Sequence, residues 1–278
     1  MTNTLTTQEL EQKASLIRQS IIKMLVTAGS GHTAGPLGMA DVFTLLYFNI
    51  LRHNPKDPHW ADRDRLVLSN GHICPVQYAA MAHSGYFDIN ELQTLRKFGS
   101  RLQGHPHREY LPGIEVSSGP LGSGLSQAVG MALSDRMDNS NSDKIFYCLM
   151  GDGELNEGQV WEAALCAGKE KLSNIIGIID RNHIQIDGRT DDVMPLEPLA
   201  SKWGSFNWHV QEVDGHDFMA LENAINSAKQ QLDKPNVIIA NTIPGKGVRE
   251  IEGDYKWHGK PPTAEEGDRF LKVLHSKF

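Results

Sequence analysis

Apolar residues recur at steps of three and four through Leu10, Ala14, Ile17, Ile21 and Leu25. That spacing keeps them on one helical face, and Gly29 is the expected stop. Residues 39–51, from Met39 to Leu51, are almost all apolar, which predicts a second helix buried on all sides. Residues 53–65 carry two prolines and many charges and read as a loop. The run Gly119-Pro120-Leu121-Gly122-Ser123-Gly124 predicts a turn opening a small-residue helix through Met131 and Ala132. Three short apolar runs, Ile145 to Met150, Ile175 to Ile179 and Val237 to Ala240, predict buried strands. Helical patterns lie between them, through Val160, Ala164 and Ala167, and through Ala220, Ala224 and Ala228. This alternation predicts an α/β fold: a doubly wound, mainly parallel sheet with helices on both faces. The tail after Trp257 is polar and proline-containing, then ends in a short amphipathic piece. No repeat, low-complexity segment or linker interrupts the pattern, so residues 1–278 are expected to form a single domain.

Composition narrows the class. Lys and Arg number 27 against 34 Asp and Glu, a formal charge of −7. That balance disfavours nucleic acid or an anionic membrane surface as the main partner. The N-terminus from Met1 to Lys13 has no apolar core of a secretory signal. The stretch from Val42 to Leu51 is broken by Asn49 and falls short of the ~20 residues of a membrane span. Cys74, Cys148 and Cys166 form no CxxC pair, so a reducing cytoplasm is expected.

The strongest chemical signal is Gly151-Asp152-Gly153 directly after the first apolar run, with Asn182 thirty positions after Asp152 and directly after the second. In open α/β sheets, ligands bind beyond the carboxyl ends of strands, so both residues are expected to face one crevice. One carboxylate, one amide oxygen and one backbone carbonyl near Asn182 would supply half the oxygen shell of Mg²⁺, with a diphosphate and water completing it. Gly153, without a Cβ, lets a backbone N–H approach the diphosphate.

Histidine is the second signal. Among the 12 histidines, Gly31-His32, Gly71-His72, Gly104-His105 and His258-Gly259 each set an imidazole beside glycine. Such rings suit proton transfer on a polyhydroxylated substrate and can donate to a diphosphate. His105-Pro106-His107 also reads as a metal-ligand pair, but it lacks further partners at zinc spacing. Glu154, Glu157 and Glu162 follow the Gly-Asp-Gly turn, where a helix N-terminus favours negative charge. Glu157, with Trp161 and Ala164 nearby on the helix, is also placed for burial at a subunit interface.

The ordered set of motifs resembles the diphosphate-binding domain of the transketolases, from about Leu16 to Pro262. It runs through Ser30-Gly31-His32, Pro36-Leu37-Gly38-Met39, Leu68-Ser69-Asn70-Gly71-His72 and Gly104-His105-Pro106. It continues through residues 113–122, Gly151-Asp152-Gly153-Glu154, Ile186-Asp187-Gly188 and Trp257-His258-Gly259. The resemblance implies thiamine diphosphate as cofactor, with Mg²⁺ or another divalent cation on Asp152, Asn182 and the Ile184 carbonyl. It implies that His72, Gly153 and His258 touch the diphosphate and that Gly119 and Leu121 lie against the cofactor rings. His32, His105 and His258 would face the donor sugar and move its protons. Glu157 and Glu162 resemble the acids that link paired active sites in the family's dimers. The implied reaction moves a two-carbon ketol group from a ketose or ketose phosphate to an aldose.

Three departures stand out. Thr33, followed by Ala34, stands where the family usually has a proline after the first Gly-His, which bears on the positioning of His32. Lys246, in Pro244-Gly245-Lys246-Gly247, resembles the 1-deoxyxylulose-phosphate synthases. The third is length, since transketolases are much longer and carry a further domain that binds the cofactor's pyrimidine. The expectation is therefore the N-terminal subunit of a split enzyme, active with a separate pyrimidine-binding subunit in an α₂β₂ assembly. The other readings are a 1-deoxyxylulose-phosphate synthase-like or 2-oxo-acid-type thiamine enzyme subunit, and a non-catalytic cofactor-binding or regulatory subunit.

Overall fold

The first apolar stripe forms helix α1, Thr7–Ala28, in a computed structural model that describes residues 4–276. The single-domain expectation also covers residues 1–3, 277 and 278, which lie outside the described residues. Thr6 starts α1 with a capping box: its hydroxyl accepts from Glu9 N–H, and the Glu9 carboxylate accepts from Thr6 N–H at 2.7 Å. The apolar segment expected as one helix over 39–51 is instead broken. Helix α2, Ala34–Gly38, begins earlier, α3 spans Ala40–Leu45, and Leu46–Ile50 widens into a π turn. Gly35, Pro36 and Gly38 are poor helix residues, which accounts for the short first piece.

The chain then lays down β1 (Arg65–Leu68), α4 (Cys74–Ser84), α5 (Ser123–Asp138), β2 (Phe146–Gly151), α6 (Gly158–Glu170) and β3 (Ile175–Arg181). A small antiparallel hairpin follows, β4 (Ile184–Gln185) with β5 (Gly188–Arg189). Next come α7 (Thr190–Val193), α8 (Leu199–Ser205), β6 (His209–Asp214), α9 (Phe218–Lys229), β7 (Asn236–Asn241) and α10 (Ala264–His275). The large sheet is parallel throughout, in the order β1-β2-β3-β7-β6.

Side chains alternate along each strand, so every strand feeds two cores. Leu66, Leu68, Tyr147, Leu149, Ile176, Ile178, Ile238 and Ala240 join the cluster under α1, α3, α4, α9 and α10. Val67, Phe146, Cys148, Met150, Ile175, Ile179, Val237 and Ile239 join the opposite cluster under α5, α6 and α8. Burial on both faces is why these strands read as unbroken apolar runs. Each fully buried Leu, Ile or Val side chain contributes roughly 1.5–3 kcal/mol relative to exposure.

Two strands escape the sequence pattern. β1 has only four residues and follows a charged loop. β6 is an edge strand, His209-Val210-Gln211-Glu212-Val213-Asp214, whose residues are half-buried or exposed, so no apolar run marks it. No helix among the described residues is long and apolar enough to cross a membrane.

Candidate active site

The parallel sheet brings the carboxyl ends of β1, β2, β3 and β7 to one edge. Ser69 and Asn70 follow β1, Asp152 follows β2, Asn182 follows β3, and Thr242 follows β7. A cavity of about 300 Å³ opens beyond the first three of these ends. His32, His72, His105, Gly119, Leu121, Asp152, Gly153, Asn182, Ile184 and His258 all line it. The structure therefore gathers these residues, drawn from motifs spread over most of the chain.

Three imidazoles form a compact group. The His32 ring centroid lies 4.8 Å from that of His72 and 5.5 Å, edge-on, from that of His258. His72 and His258 are 5.1 Å apart. Burial, reinforced by the neighbouring imidazoles and by Arg96, pulls His32 down to about 4. Burial also holds His72 well below the ordinary histidine value and lowers His258. His105 is lowered by burial and by the Arg96 charge. These rings are therefore neutral near pH 7, the form that accepts a proton. Arg96 has a left-handed backbone (φ 60) and was not marked by any motif.

Oxygen-bearing side chains line the same cavity. Asp152 Oδ1 accepts from Gly153 N–H at 2.7 Å, and Oδ2 accepts from His183 N–H at 2.7 Å and from Arg181 Nη1 at 3.1 Å. Burial nevertheless raises the Asp152 carboxyl above its usual range. Asn182 donates through Nδ2 to Asp180 Oδ2 at 2.8 Å, while its Oδ1 accepts from Ile184 N–H at 3.0 Å. Asp180 also accepts from the Thr242 hydroxyl, and burial with the nearby Asp152 charge pushes it up to about 7.

Sequence reading missed Asp180 and Arg181. Arg181 is buried, and besides Asp152 it binds Thr190 Oγ1 at 2.9 Å and Glu197 Oε1 at 2.9 Å. The sheet pattern marks both only as the end of an apolar run.

Glu154 stands in the first turn of a short 3₁₀ helix, Gly153–Asn156, as its position suggests, but it is 3% exposed and lines the cavity. Its carboxylate accepts from the Ser69 hydroxyl, from Gly122 N–H at 2.6 Å and from Gly151 N–H at 3.0 Å. Ser69 Oγ in turn accepts from Gly124 N–H at 3.0 Å. One side chain thus ties the ends of β1 and β2 to the glycine-rich turn. Gly122 sits in that turn at φ 83, a left-handed conformation that favours glycine.

Glu157 does not line the cavity; it is exposed at the start of α6, and Glu162 is exposed one turn further along. His107 also lies outside the cavity, its ring centroid 4.6 Å from that of Tyr110. Lys246 sits in a separate small cavity with Arg18, Asp41 and His216.

The chemistry of the lining is compatible with a metal-bound diphosphate: Asp152 and the Asn182 amide carry hard oxygen donors of the kind Mg²⁺ takes, and Ile184, which lines the same cavity, brings a backbone carbonyl. Three buried polar atoms of cavity-lining residues, His32 Nδ1, His258 Nδ1 and Asn70 Oδ1, have no hydrogen-bond partner. Such atoms are uncommon in folded proteins, and in a cavity a bound ligand, ion or water would satisfy them.

Comparison with known proteins gives a consistent picture. Residues 10–274 match the model of the transketolase thiamine diphosphate-binding domain. The chain is 43% identical over 257 residues to the 6-deoxy-6-sulfo-D-fructose transketolase subunit of Clostridium sp. (strain MSTE9), covering 92% of this chain and 93% of that one. It is 40% identical over 271 residues to an apulose-4-phosphate transketolase subunit of Phocaeicola vulgatus, covering 98% and 95%. Among solved structures, transketolase from Campylobacter jejuni superposes with a TM-score of 0.91 at 37% identity. That match covers 98% of this chain but only 43% of the longer one.

Proposed function

The chain belongs to the transketolase family, through its thiamine diphosphate-binding domain, and from that premise we propose that it is one subunit of a two-chain transketolase. It holds the diphosphate end of thiamine diphosphate and acts with a second chain that carries the pyrimidine-binding domain. The reaction is transfer of a two-carbon ketol group from a ketose or ketose phosphate to an aldose. Relatives of matching length are themselves named as transketolase subunits, which favours this reading over a 1-deoxyxylulose-phosphate synthase or a 2-oxo-acid enzyme. The free cysteines Cys74, Cys148 and Cys166 are in keeping with a reducing, cytoplasmic setting.

The observation that carries the proposal is the cavity itself, which gathers His32, His72, His105 and His258 with Asp152 and Asn182 from distant motifs. Asp152, Asn182 and the Ile184 carbonyl hold the divalent cation, and Gly153 N–H with His72 and His258 holds the diphosphate. Gly119 and Leu121 face the cofactor rings. When bound, thiamine diphosphate supplies a carbon nucleophile and an electron sink for breaking and re-forming a carbon–carbon bond. His32 and His258, kept neutral by burial, take and return the proton of a donor hydroxyl. His105 orients the two-carbon unit. Glu157 and Glu162, exposed on the free chain, face a second chain in an α₂β₂ assembly.

Reconstitution tests this. The chain, its partner, Mg²⁺ and thiamine diphosphate are mixed with ketose phosphates and aldoses, and aldose elongation is followed. A complex that binds cofactor yet transfers no two-carbon unit from any ketose overturns the reading. Asp152→Ala removes the only carboxylate assigned to the metal. Calorimetry on the reconstituted complex should show a loss of at least ~100-fold in Mg²⁺-dependent cofactor affinity, the scale of losing a ligand rather than an outer contact. Unchanged affinity rules out this metal site.

A further inference from the structure

Thr33 follows His32 and is completely buried. Its hydroxyl donates to the Lys260 carbonyl at 2.6 Å, joining residues 227 positions apart. Lys260 lies two residues beyond His258. Each end of this link is anchored. On one side, Thr33 O accepts from Leu37 N–H at 3.2 Å and Ala34 O accepts from Gly245 N–H at 2.8 Å. On the other, the Lys260 ammonium sits 3.9 Å from the Trp257 ring centroid and 2.9 Å from Glu266 of α10. Trp257 packs edge-on against Phe270 of the same helix, with centroids 5.4 Å apart. The loops bearing His32 and His258 are thus each fixed to different parts of the fold and tied to one another by one side-chain hydrogen bond.

We propose that Thr33 is a positioning residue whose hydroxyl sets the spacing of the His32 and His258 rings. Thr33 does not line the cavity, so it acts only through the loops it joins. Its φ of −107° lies well away from the roughly −65° that a proline ring imposes. The conformation here is not the one a proline would impose, and the Thr33 hydroxyl is the side-chain group that ties it to the Lys260 segment. Reacting groups lose rate steeply when displaced by about 1 Å, so a clamp on two proton-handling rings acts on turnover. The geometric part stands on the hydrogen bond alone; the catalytic part rests on the function proposed above.

The test compares Thr33→Val, which keeps shape but loses the hydroxyl, with Thr33→Ser, which keeps the hydroxyl. Histidine side-chain NMR on the full chain reads ring environments without needing activity. The expected result is that Val shifts the His32 and His258 ring signals, leaves His83 (bonded to Ser20 outside the cavity) unchanged, and that Ser restores the wild-type spectrum. In the reconstituted enzyme, Val should lower kcat about 10-fold with donor KM within about twofold, the signature of lost transition-state positioning. Ser should recover most of that loss. Wild-type ring signals in the Val variant overturn the proposal, as does unaltered kcat despite shifted rings, or a folded Ser variant as impaired as Val. If Val does not fold, Thr33→Ala against Ser carries the same comparison. A wild-type pair without transfer activity counts against the proposed function, while the NMR arm still decides the clamp.

Discussion

At Glu154 a carboxylate is buried among neutral donors: the Ser69 hydroxyl and the N–H groups of Gly122 and Gly151. Burial raises its pKa, so the site spends stability to keep an acceptor there. In return, three segments that line the cavity are held in register by one residue. Glu154→Ala strands these donors, and each unsatisfied buried donor costs about 1–3 kcal/mol. Removing the buried acid offsets part of that loss. The expected outcome is a fall of roughly 2–4 kcal/mol, read as a lower urea midpoint at constant slope. An unchanged midpoint means that water or backbone relaxation satisfies the donors without the carboxylate.

Among the elements, α6 illustrates how packing overrides helix propensity. Its Gly168 lies against the turn after α8, where an added Cβ would clash with the Phe206 carbonyl oxygen. Around this contact Trp203 lies 5.3 Å from Trp161 and 4.8 Å from Trp208, and Trp208 Nε1 donates to Ala164 O at 2.9 Å. Alanine would gain about 1 kcal/mol in helix propensity over glycine. It must also push α6 off a backbone atom, and overpacking of this kind costs about 1–3 kcal/mol or more. Gly168→Ala should therefore be net destabilising, with altered tryptophan fluorescence from the displaced cluster. A stabilised variant with native fluorescence contradicts this packing.

Across the whole molecule, a buried polar chain joins the helical layer to the far end of the sheet. Arg18 of α1 pairs with Asp41 of α3 through bonds of 2.9 and 2.6 Å. Asp41 accepts from His216 Nδ1 at 2.7 Å, and His216 Nε2 accepts from Ile243 N–H at 2.8 Å, just beyond β7. Burial pushes Asp41 upward, but Arg18 and His216 outweigh it and hold the carboxyl down at about 2. Its folded pKa is thus below the unfolded value of about 3.9, so its stabilisation is present above pH ~4 and is lost as pH falls toward 2. Asp41→Ala leaves Arg18 buried without its partner, a change that costs about 3–5 kcal/mol. Chemical denaturation should show that gap near pH 7 and show it narrowing between pH ~4 and 2. A gap independent of pH would mean that Asp41 stabilises by packing rather than by charge.

Sequence alone determined the parts of this protein that depend on local pattern. The three central strands are legible as apolar runs because both faces of a parallel sheet are buried. Gly151-Asp152-Gly153 and Asn182 are legible as a site because chain direction puts strand exits on one edge. The histidine motifs are legible because glycine beside imidazole is a local signature. Tertiary structure decided what depends on contacts between distant segments. It decided that the polar edge strand β6 pairs with β7, that Arg181 turns onto Asp152, and that Glu154 points inward rather than to water. It also decided that His32 and His258, separated by most of the chain, stand 5.5 Å apart. No local pattern encodes that distance, because it is set where two loops meet, at the hydrogen bond from Thr33 to Lys260.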